Sequence, residues 1–152
     1  MKLVLGSKNY SSWSLRPWLL MRPLDIPFAE VRIPLYEAES KARLLAFARA
    51  GKVPVLLDGD HVIADSLAIA LYLAERHLGV WPSDEAARIY AQGAVAEMHG
   101  GFGHLRGDCP MNVGVRVSPK PMSKGLQRNL ARLREIFERG LAQFGGPWLA
   151  GA

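Results

Sequence analysis

The first 80 residues alternate short apolar runs with helical repeats, and this order limits the fold more than any other feature. The runs that predict strands are residues 2–5, 28–35, 53–57 and 61–64. Helices are predicted from about Leu15, over 40–49 and from Leu67 to Leu78. The tight turn Asp58-Gly59-Asp60 makes the last two strands a hairpin. The order βαβαββα predicts an α/β domain, with helices packed on a sheet.

A different pattern begins after this domain. Residues 81–85 contain a proline and a serine and are interpreted as a linker between a domain over 1–80 and a second one over 86–152. The second domain is predicted to be all-α. Its elements are one helix over 86–105, a loop over 107–121 and a helix over 126–144. Two helices expose more apolar surface than they can enclose, so we expect this domain to be incomplete.

Composition excludes several classes of protein. The single cysteine, Cys109, excludes an intrachain disulfide and fits a reducing compartment. No apolar run approaches the roughly 20 residues that span a bilayer, and the N-terminus lacks a signal-peptide core, so we expect a cytoplasmic protein without membrane contact. The net charge is +5, but the basic residues are scattered among acidic ones, which argues against a nucleic-acid partner.

The stretch SSWSLRPW, residues 11–18, crowds hydroxyl groups at a predicted strand-to-helix junction. No histidine or aspartate lies nearby in sequence to activate a serine nucleophile, and the G-x-S-x-G elbow is absent. A hydroxyl at a helix N-terminus can instead donate a hydrogen bond to an anion such as a thiolate. The alternative is that Ser11, Ser12 and Ser14 are caps and turn residues. Ser14 is the predicted N-cap, which puts Pro17 at the third helical position.

Two further pairs are candidate ligand contacts. Val53-Pro54 opens a strand and is a candidate cis peptide, which would present the Val53 backbone to an extended ligand; the alternative is an ordinary edge-strand proline. Asp65-Ser66 opens a helix, where Ser66 could hold a carboxylate and Asp65 an ammonium group; the alternative is a plain N-cap.

Other motifs indicate no chemistry. His99 and His104 are five residues apart and off one helical face, so no metal site is expected. The glycines between them do not form a dinucleotide-binding fingerprint, because Arg106 stands where the third glycine belongs. Cys109 has no neighbour in sequence that would activate its thiol, and we interpret it as structural.

Taken together, three segments resemble the cytosolic glutathione transferase superfamily. They are SSWSLRPW at 11–18, GKVPVLLDGDHVIADS at 51–66 and SLAIALYLAER at 66–76. The resemblance implies a thioredoxin-like domain that binds glutathione, followed by an all-α domain that lines an electrophile pocket. It also implies a homodimer, and glutathione as co-substrate with no other cofactor.

The resemblance implies roles for individual residues. The serine spacing is similar to zeta-like and tau-like members and favours Ser11 as the thiolate donor, whereas counting back from Arg16 as in theta-like and delta-like members selects Ser12. Asp65 and Ser66 would hold the γ-glutamyl group. The other implied glutathione contacts are Lys52 for the glycyl carboxylate, Val53 for the cysteinyl unit and Pro54 as the cis-proline. The implied pocket candidates are Trp13, Met98 and Phe102.

Two departures from the family pattern affect the expected function. Trp13 stands where zeta-like members carry a cysteine used in isomerase chemistry, so we do not expect an isomerase. Full-length members also continue for several helices beyond the end of this sequence. The leading hypothesis is a transferase that conjugates glutathione to a hydrophobic electrophile. The alternative is a non-catalytic glutathione-binding or protein-interaction module, and a dithiol redox protein is excluded because the turn carries no C-x-x-C.

Overall fold

The computed structural model of the chain describes residues 1–118 and 121–151, so residues 119–120 of the predicted loop lie outside the described part. The first elements are β1 (Lys2–Leu5), α1 (Ser12–Met21), β2 (Ala29–Arg32), α2 (Ser40–Leu45), β3 (Val55–Asp58), β4 (His61–Ala64) and α3 (Ser66–Ala74). They are followed by α4 (Glu85–Gly100), α5 (Gly103–Asp108) and α6 (Lys124–Phe144). The chain divides into two compact units, Met1–Val80 with Met111–Val113, and Trp81–Pro110 with Gly114–Ala152.

The first unit is a four-stranded sheet in the order β2-β1-β3-β4, with helices on both faces. β1 pairs parallel to β2 and antiparallel to β3, and β3 and β4 form the predicted hairpin. Side chains of β1 alternate between the faces: Leu3 and Leu5 pack with Met21 of α1 and Ile69 of α3, and Val4 packs with α2. The predicted βαβαββα order of this α/β unit is confirmed.

Helix α1 begins earlier than the sequence indicated. Ser11, and not Ser14, is the N-cap, because its hydroxyl oxygen accepts a hydrogen bond from the Ser14 N–H at 3.4 Å. Ser14 therefore lies within α1, and Pro17 is inside the helix and buried against the core, not at the third helical position. The apolar repeat from Leu15 marked only the part of α1 that faces the sheet, since the cap and first residue of the helix are both polar.

The single helix predicted over 86–105 is wrong, because the chain breaks it between α4 and α5. The Gly101 N–H still donates to the carbonyl of Glu97, but Phe102 then adopts the left-handed region with φ 63°. The guanidinium of Arg106 donates to the carbonyl of Gly101 at 3.1 Å and to the carbonyl of Met98, which satisfies carbonyls left free by the break. α5 also covers Gly107, which was predicted as loop.

The second unit packs α4 beside α6 through small and aromatic residues. The Tyr90 hydroxyl of α4 donates to the carbonyl of Ile136 in α6 at 2.6 Å. One turn further along α6, Gly140 lies under the chain end: a Cβ added there would overlap the Leu149 carbonyl oxygen and lie 2.9 Å from the Tyr90 ring. Among the described residues no helix is both long and apolar enough to cross a membrane.

Two glycine-to-alanine substitutions in these helices should change stability in opposite directions. Gly140→Ala should lower the free energy of unfolding by about 1–3 kcal/mol, since the backbone of Leu149 must move. Gly93→Ala, at an exposed position of α4 where a Cβ meets nothing within 4 Å, should raise it by about 0.5–1 kcal/mol. Chemical denaturation measures both, and equal effects would contradict the close packing at Gly140.

Glu30 of β2 links the sheet to α1 through an ionic cluster. Its carboxylate accepts hydrogen bonds from Lys8 Nζ at 2.8 Å, Trp18 Nε1 at 2.7 Å and Arg32 Nε at 3.2 Å. Burial raises the pKa of this carboxyl, but these hydrogen bonds outweigh burial and lower the pKa from 4.5 to about 2. The Glu30 side chain is 18% exposed, so the cluster is only partly screened by solvent.

The depressed pKa of Glu30 predicts a pH-dependent contribution to stability. The contribution should be present in full above pH 4.5 and should be lost as the pH falls toward about 2, because protonation ends the ionic contacts. Glu30→Gln should therefore lower the free energy of unfolding by roughly 1–2 kcal/mol at pH 7, after allowance for screening of the exposed partners, and by little near pH 2. Unfolding curves across this range test it, with the exposed Glu37→Gln as control.

Candidate functional site

The segment that contains Ser11, Ser12 and Ser14, called the serine turn below, joins the end of β1 to the start of α1. Hydrogen bonds hold it on both sides. The Ser11 N–H donates to the carbonyl of Ser7 at 2.8 Å, and the Ser11 side chain, 8% exposed, caps α1. Ser12 is the first residue of α1 and is half-buried. Both hydroxyls therefore lie where the unpaired N–H groups of the first helical turn favour negative charge.

Ser14 lies behind Ser11 and is completely buried. Its hydroxyl oxygen accepts a hydrogen bond from the Gly6 N–H at 3.0 Å and lies 2.9 Å from the hydroxyl oxygen of Ser11. Gly6 has no room for a side chain, because a Cβ there would lie 2.5 Å from Leu35. The end of β1 and the start of α1 are thus fixed to each other by one buried hydroxyl.

The Val53-Pro54 peptide bond is cis, which is one of the two alternatives that the sequence left open. β3 begins after it, at Val55, and not at residue 53 as predicted. The carbonyl of Pro54 accepts a long hydrogen bond, 3.4 Å, from the N–H of Asp65. This contact brings the proline next to the start of α3.

Asp65 and Ser66 occupy different positions at the start of α3. Asp65 is the N-cap of α3, with its carboxylate accepting the Leu67 N–H at 2.7 Å and its backbone at φ 90°, a conformation that non-glycine residues rarely adopt. Ser66 is then the first residue of α3. It is 5% exposed, and its hydroxyl has no hydrogen-bond partner among the residues that the structure describes. A buried hydroxyl without a partner is costly, and such groups often mark a ligand site.

Two clefts that share Trp13, Lys52 and Val53 bring the predicted residues of the first unit together. The larger has a volume of about 620 Å³ and is lined by Trp13, Ala50, Lys52, Val53, Pro54, Ala64, Asp65 and Ser66. The smaller, about 320 Å³, is lined by Tyr10, Ser11, Ser12, Trp13, Leu35, Tyr36, Leu44, Gly51, Lys52 and Val53. The N-termini of α1 and α3 therefore lie at two adjoining clefts, with Lys52 at both.

Side chains of both charges lie at or near these clefts: Lys52 lines both, and the Asp65 carboxylate lines the larger one. Lys52 supplies a flexible ammonium, and the guanidinium of Arg16 lies 4.1 Å from the ring centroid of Trp13. Together with the two helix N-termini, these charges suit a ligand that carries carboxylates or a thiolate. Within the described ranges no group of three or more His, Cys, Asp or Glu residues could hold a metal ion.

Sequence reasoning missed some of the residues at this site. Tyr10 and Tyr36 form a ring pair with centroids 5.7 Å apart at the smaller cleft, and Tyr36 is 86% exposed. Nothing local in the sequence connects these two positions. The contact of Ser14 with Ser11 was also missed, although their three-residue spacing is the one by which an N-cap reaches into the first helical turn.

Met98 and Phe102, the other pocket candidates, belong to the second unit. Met98 is half-buried near the end of α4, with its sulfur 3.6 Å from the Arg106 guanidinium. Phe102 is buried between α4 and α5. Their assignment to an electrophile pocket stays a prediction.

Comparisons with known proteins agree with this fold and these motifs. Residues 10–76 match the family described as glutathione S-transferase, N-terminal domain. A zeta-class glutathione S-transferase from Euphorbia esula is 27% identical over 154 residues, covering 99% of this chain and 68% of that protein. The chain spans less than half the length of three further curated relatives.

Solved structures show the same fold along nearly the whole chain. A glutathione S-transferase from the Antarctic clam Laternula elliptica matches with a TM-score of 0.69 at 23% identity, covering 99% of this chain and 69% of that one. A glutathione transferase homologue from Sulfitobacter, solved with bound glutathione, matches with a TM-score of 0.66 at 20% identity, covering 99% and 74%. The expected fold, a thioredoxin-like unit followed by a helical one, is confirmed, and residues 10–76 are similar to the N-terminal domain of glutathione S-transferases.

Proposed function

We propose that the chain is a glutathione transferase: it binds glutathione along the two clefts and conjugates the glutathione sulfur to a hydrophobic electrophile. The observation that carries the proposal is the buried hydroxyl of Ser66, which has no hydrogen-bond partner in the described part of the chain and lies in a cleft that adjoins the one lined by Ser11 and Ser12. The two clefts together offer separate contacts for the two ends and the thiol of one extended tripeptide. The match of residues 10–76 to the glutathione S-transferase N-terminal domain, and the glutathione bound in a structure of the same fold, support the same ligand.

The γ-glutamyl end is assigned to the start of α3. There the Ser66 hydroxyl and the first N–H groups of the helix can donate to the α-carboxylate, which relieves the unpartnered hydroxyl. The Asp65 carboxylate can accept from the ammonium group. The Val53 backbone beside the cis-proline is proposed to pair with the cysteinyl unit as an added strand, and Lys52 to bind the glycyl carboxylate.

The reactive sulfur is assigned to the serine turn. The thiol loses its proton to water, and a serine hydroxyl and the N-terminus of α1 stabilise the thiolate that remains. One hydrogen bond to a charged group contributes about 1.5–3 kcal/mol, enough to lower a thiol pKa of about 8.5 by roughly 1–2 units. The thiolate then forms a bond to the electrophilic carbon, and the leaving group departs with its bonding electrons. Trp13, at both clefts, is proposed to contact the electrophile.

Replacing the serines tests this assignment. Ser11→Ala should lower kcat/KM for glutathione and a generic aryl halide by roughly 10- to 100-fold, because a donor to the thiolate is lost. Ser12→Ala should have a smaller effect, and the double variant the largest. Ser7→Ala, in the same turn but outside the clefts, is the matched control.

Unchanged turnover in the double variant would overturn the serine mechanism. If the wild-type chain binds glutathione without turnover, the alternative of a non-catalytic binding module holds instead. If it does not bind glutathione at all, both assignments fail.

Ser66→Ala should separate ligand binding from stability. Affinity for glutathione should fall about 5- to 50-fold, because a donor to the carboxylate is lost, whereas the unliganded protein should be no less stable. Ser40→Ala is the matched control: Ser40 is equally buried, but its hydroxyl accepts from the Glu37 N–H at 3.0 Å and donates to the Pro34 carbonyl. That variant should lose about 1–3 kcal/mol of stability and keep its affinity.

Isothermal titration and thermal unfolding provide the two measurements for each variant. A Ser66→Ala protein that is destabilised as much as Ser40→Ala would show that the Ser66 hydroxyl has a partner within the fold.

We also propose that the chain acts in the cytoplasm as a homodimer, as the resemblance to cytosolic glutathione transferases implies.

A further inference from the structure

We propose that Ser14 is a positioning residue: it accepts the Ser11 hydroxyl when no ligand is bound and donates to Ser11 when the thiolate is present. This inference rests on the proposed function and names a residue that touches neither substrate. It follows from the hydrogen-bonding capacity of two hydroxyls whose oxygens are 2.9 Å apart in the closed interior of the serine turn.

Each hydroxyl has one donor and two acceptor positions. On Ser14, one acceptor position is used by the Gly6 N–H at 3.0 Å. On Ser11, one acceptor position receives the Ser14 N–H at 3.4 Å. The remaining contact joins the two oxygens, and either hydroxyl can donate across it because the hydrogens rotate freely.

The two directions of this contact correspond to two states of the site. Without an anion, the Ser11 hydroxyl donates inward to Ser14. When a thiolate lies in the smaller cleft, the Ser11 hydrogen turns outward to it, and the Ser14 hydrogen turns to the Ser11 oxygen. No proton passes along the serines, since the thiol proton has gone to water and only hydroxyl hydrogens rotate.

A series of hydrogen bonds, from the Gly6 N–H to Ser14 and from Ser14 to Ser11, makes the Ser11 hydroxyl a better donor. Each hydrogen bond in a chain polarises the next one, and the fully buried position of Ser14 keeps water from competing. Ser12 is half-buried, and in the described part of the chain no hydroxyl lies behind it in this way. The arrangement therefore selects Ser11 over Ser12 as the donor to the thiolate.

An independent observation supports a ligand site next to this helix N-terminus. The Ser66 hydroxyl is buried at the larger cleft and has no partner within residues 1–118 and 121–151. That cleft shares Trp13, Lys52 and Val53 with the cleft lined by Ser11. Ser14 also ties β1 to α1, so a purely structural role has to be separated from the positioning role by experiment.

The test measures the pKa of the thiol of bound glutathione, from its thiolate absorbance in the ultraviolet at saturating glutathione. We expect Ser14→Ala to raise this pKa by about 0.5–1 unit, while Ser14→Thr, which keeps a hydroxyl, restores the wild-type value. Ser40→Ala, which also removes a buried hydroxyl from the first unit, should leave it unchanged. In a Ser11→Ala background, adding Ser14→Ala should produce no further shift, because Ser14 acts through Ser11.

Thermal unfolding of each variant confirms that the measured protein is folded. Should Ser14→Ala not fold, Ser14→Cys keeps its shape with a weaker donor, and the ligand-free variant serves as the absorbance blank. The inference is overturned if folded Ser14→Ala has the wild-type thiol pKa, if Ser40→Ala shifts it equally, or if the effects of the Ser11 and Ser14 substitutions add. Those results leave the proposed function intact when Ser11→Ala alone still raises the thiol pKa. A wild-type protein that leaves the thiol pKa at its solution value overturns both.

Discussion

The first unit depends on the burial of β1 between two layers. Leu3, Val4 and Leu5 are completely buried, so each successive side chain of the strand must find an apolar partner on the opposite face from the one before. A shift of register by one residue would exchange the faces and break both cores. Because the strand cannot slide, the turn that follows it begins at a fixed point. The positions of the serine hydroxyls are therefore fixed by the register of β1.

The order of elements in the first unit could be predicted from sequence because each element has a local signal. The hairpin has its turn at Gly59, and the apolar runs alternate with repeats of helical period. The boundaries were less accurate, as in β2, predicted over 28–35 and found as Ala29–Arg32. Strand ends depend on which backbone groups find partners in a neighbouring strand, and that is a property of the assembled sheet. The break after α4 escaped prediction for a related reason, since it depends on Arg106 satisfying carbonyls earlier in the chain.

The candidate site could likewise be predicted only in part from local signals. The residues of the serine turn, of Val53-Pro54 and of Asp65-Ser66 were found because each motif is short and begins a regular element. Their convergence on two clefts could not be read from spacing, because it results from strand pairing between β1 and β3. Tyr36 was inaccessible because its ring contact, Tyr10, belongs to a segment distant in sequence, and the burial of Ser14 was inaccessible because it depends on how the end of β1 packs against α1. The resemblance to a family, and not the local patterns, predicted that these motifs lie at one site.

The Ser66 hydroxyl, which lacks a hydrogen-bond partner among the described residues, has a consequence for the amount of the protein in a cell. If glutathione satisfies this group, the ligand stabilises the folded chain by a free energy that rises with the logarithm of its concentration above Kd, because only the folded form presents the site. Chains made when glutathione is scarce would then spend more time open to proteases, and their steady-state amount would decline. The abundance of the protein would then follow the supply of the proposed ligand without any separate regulator.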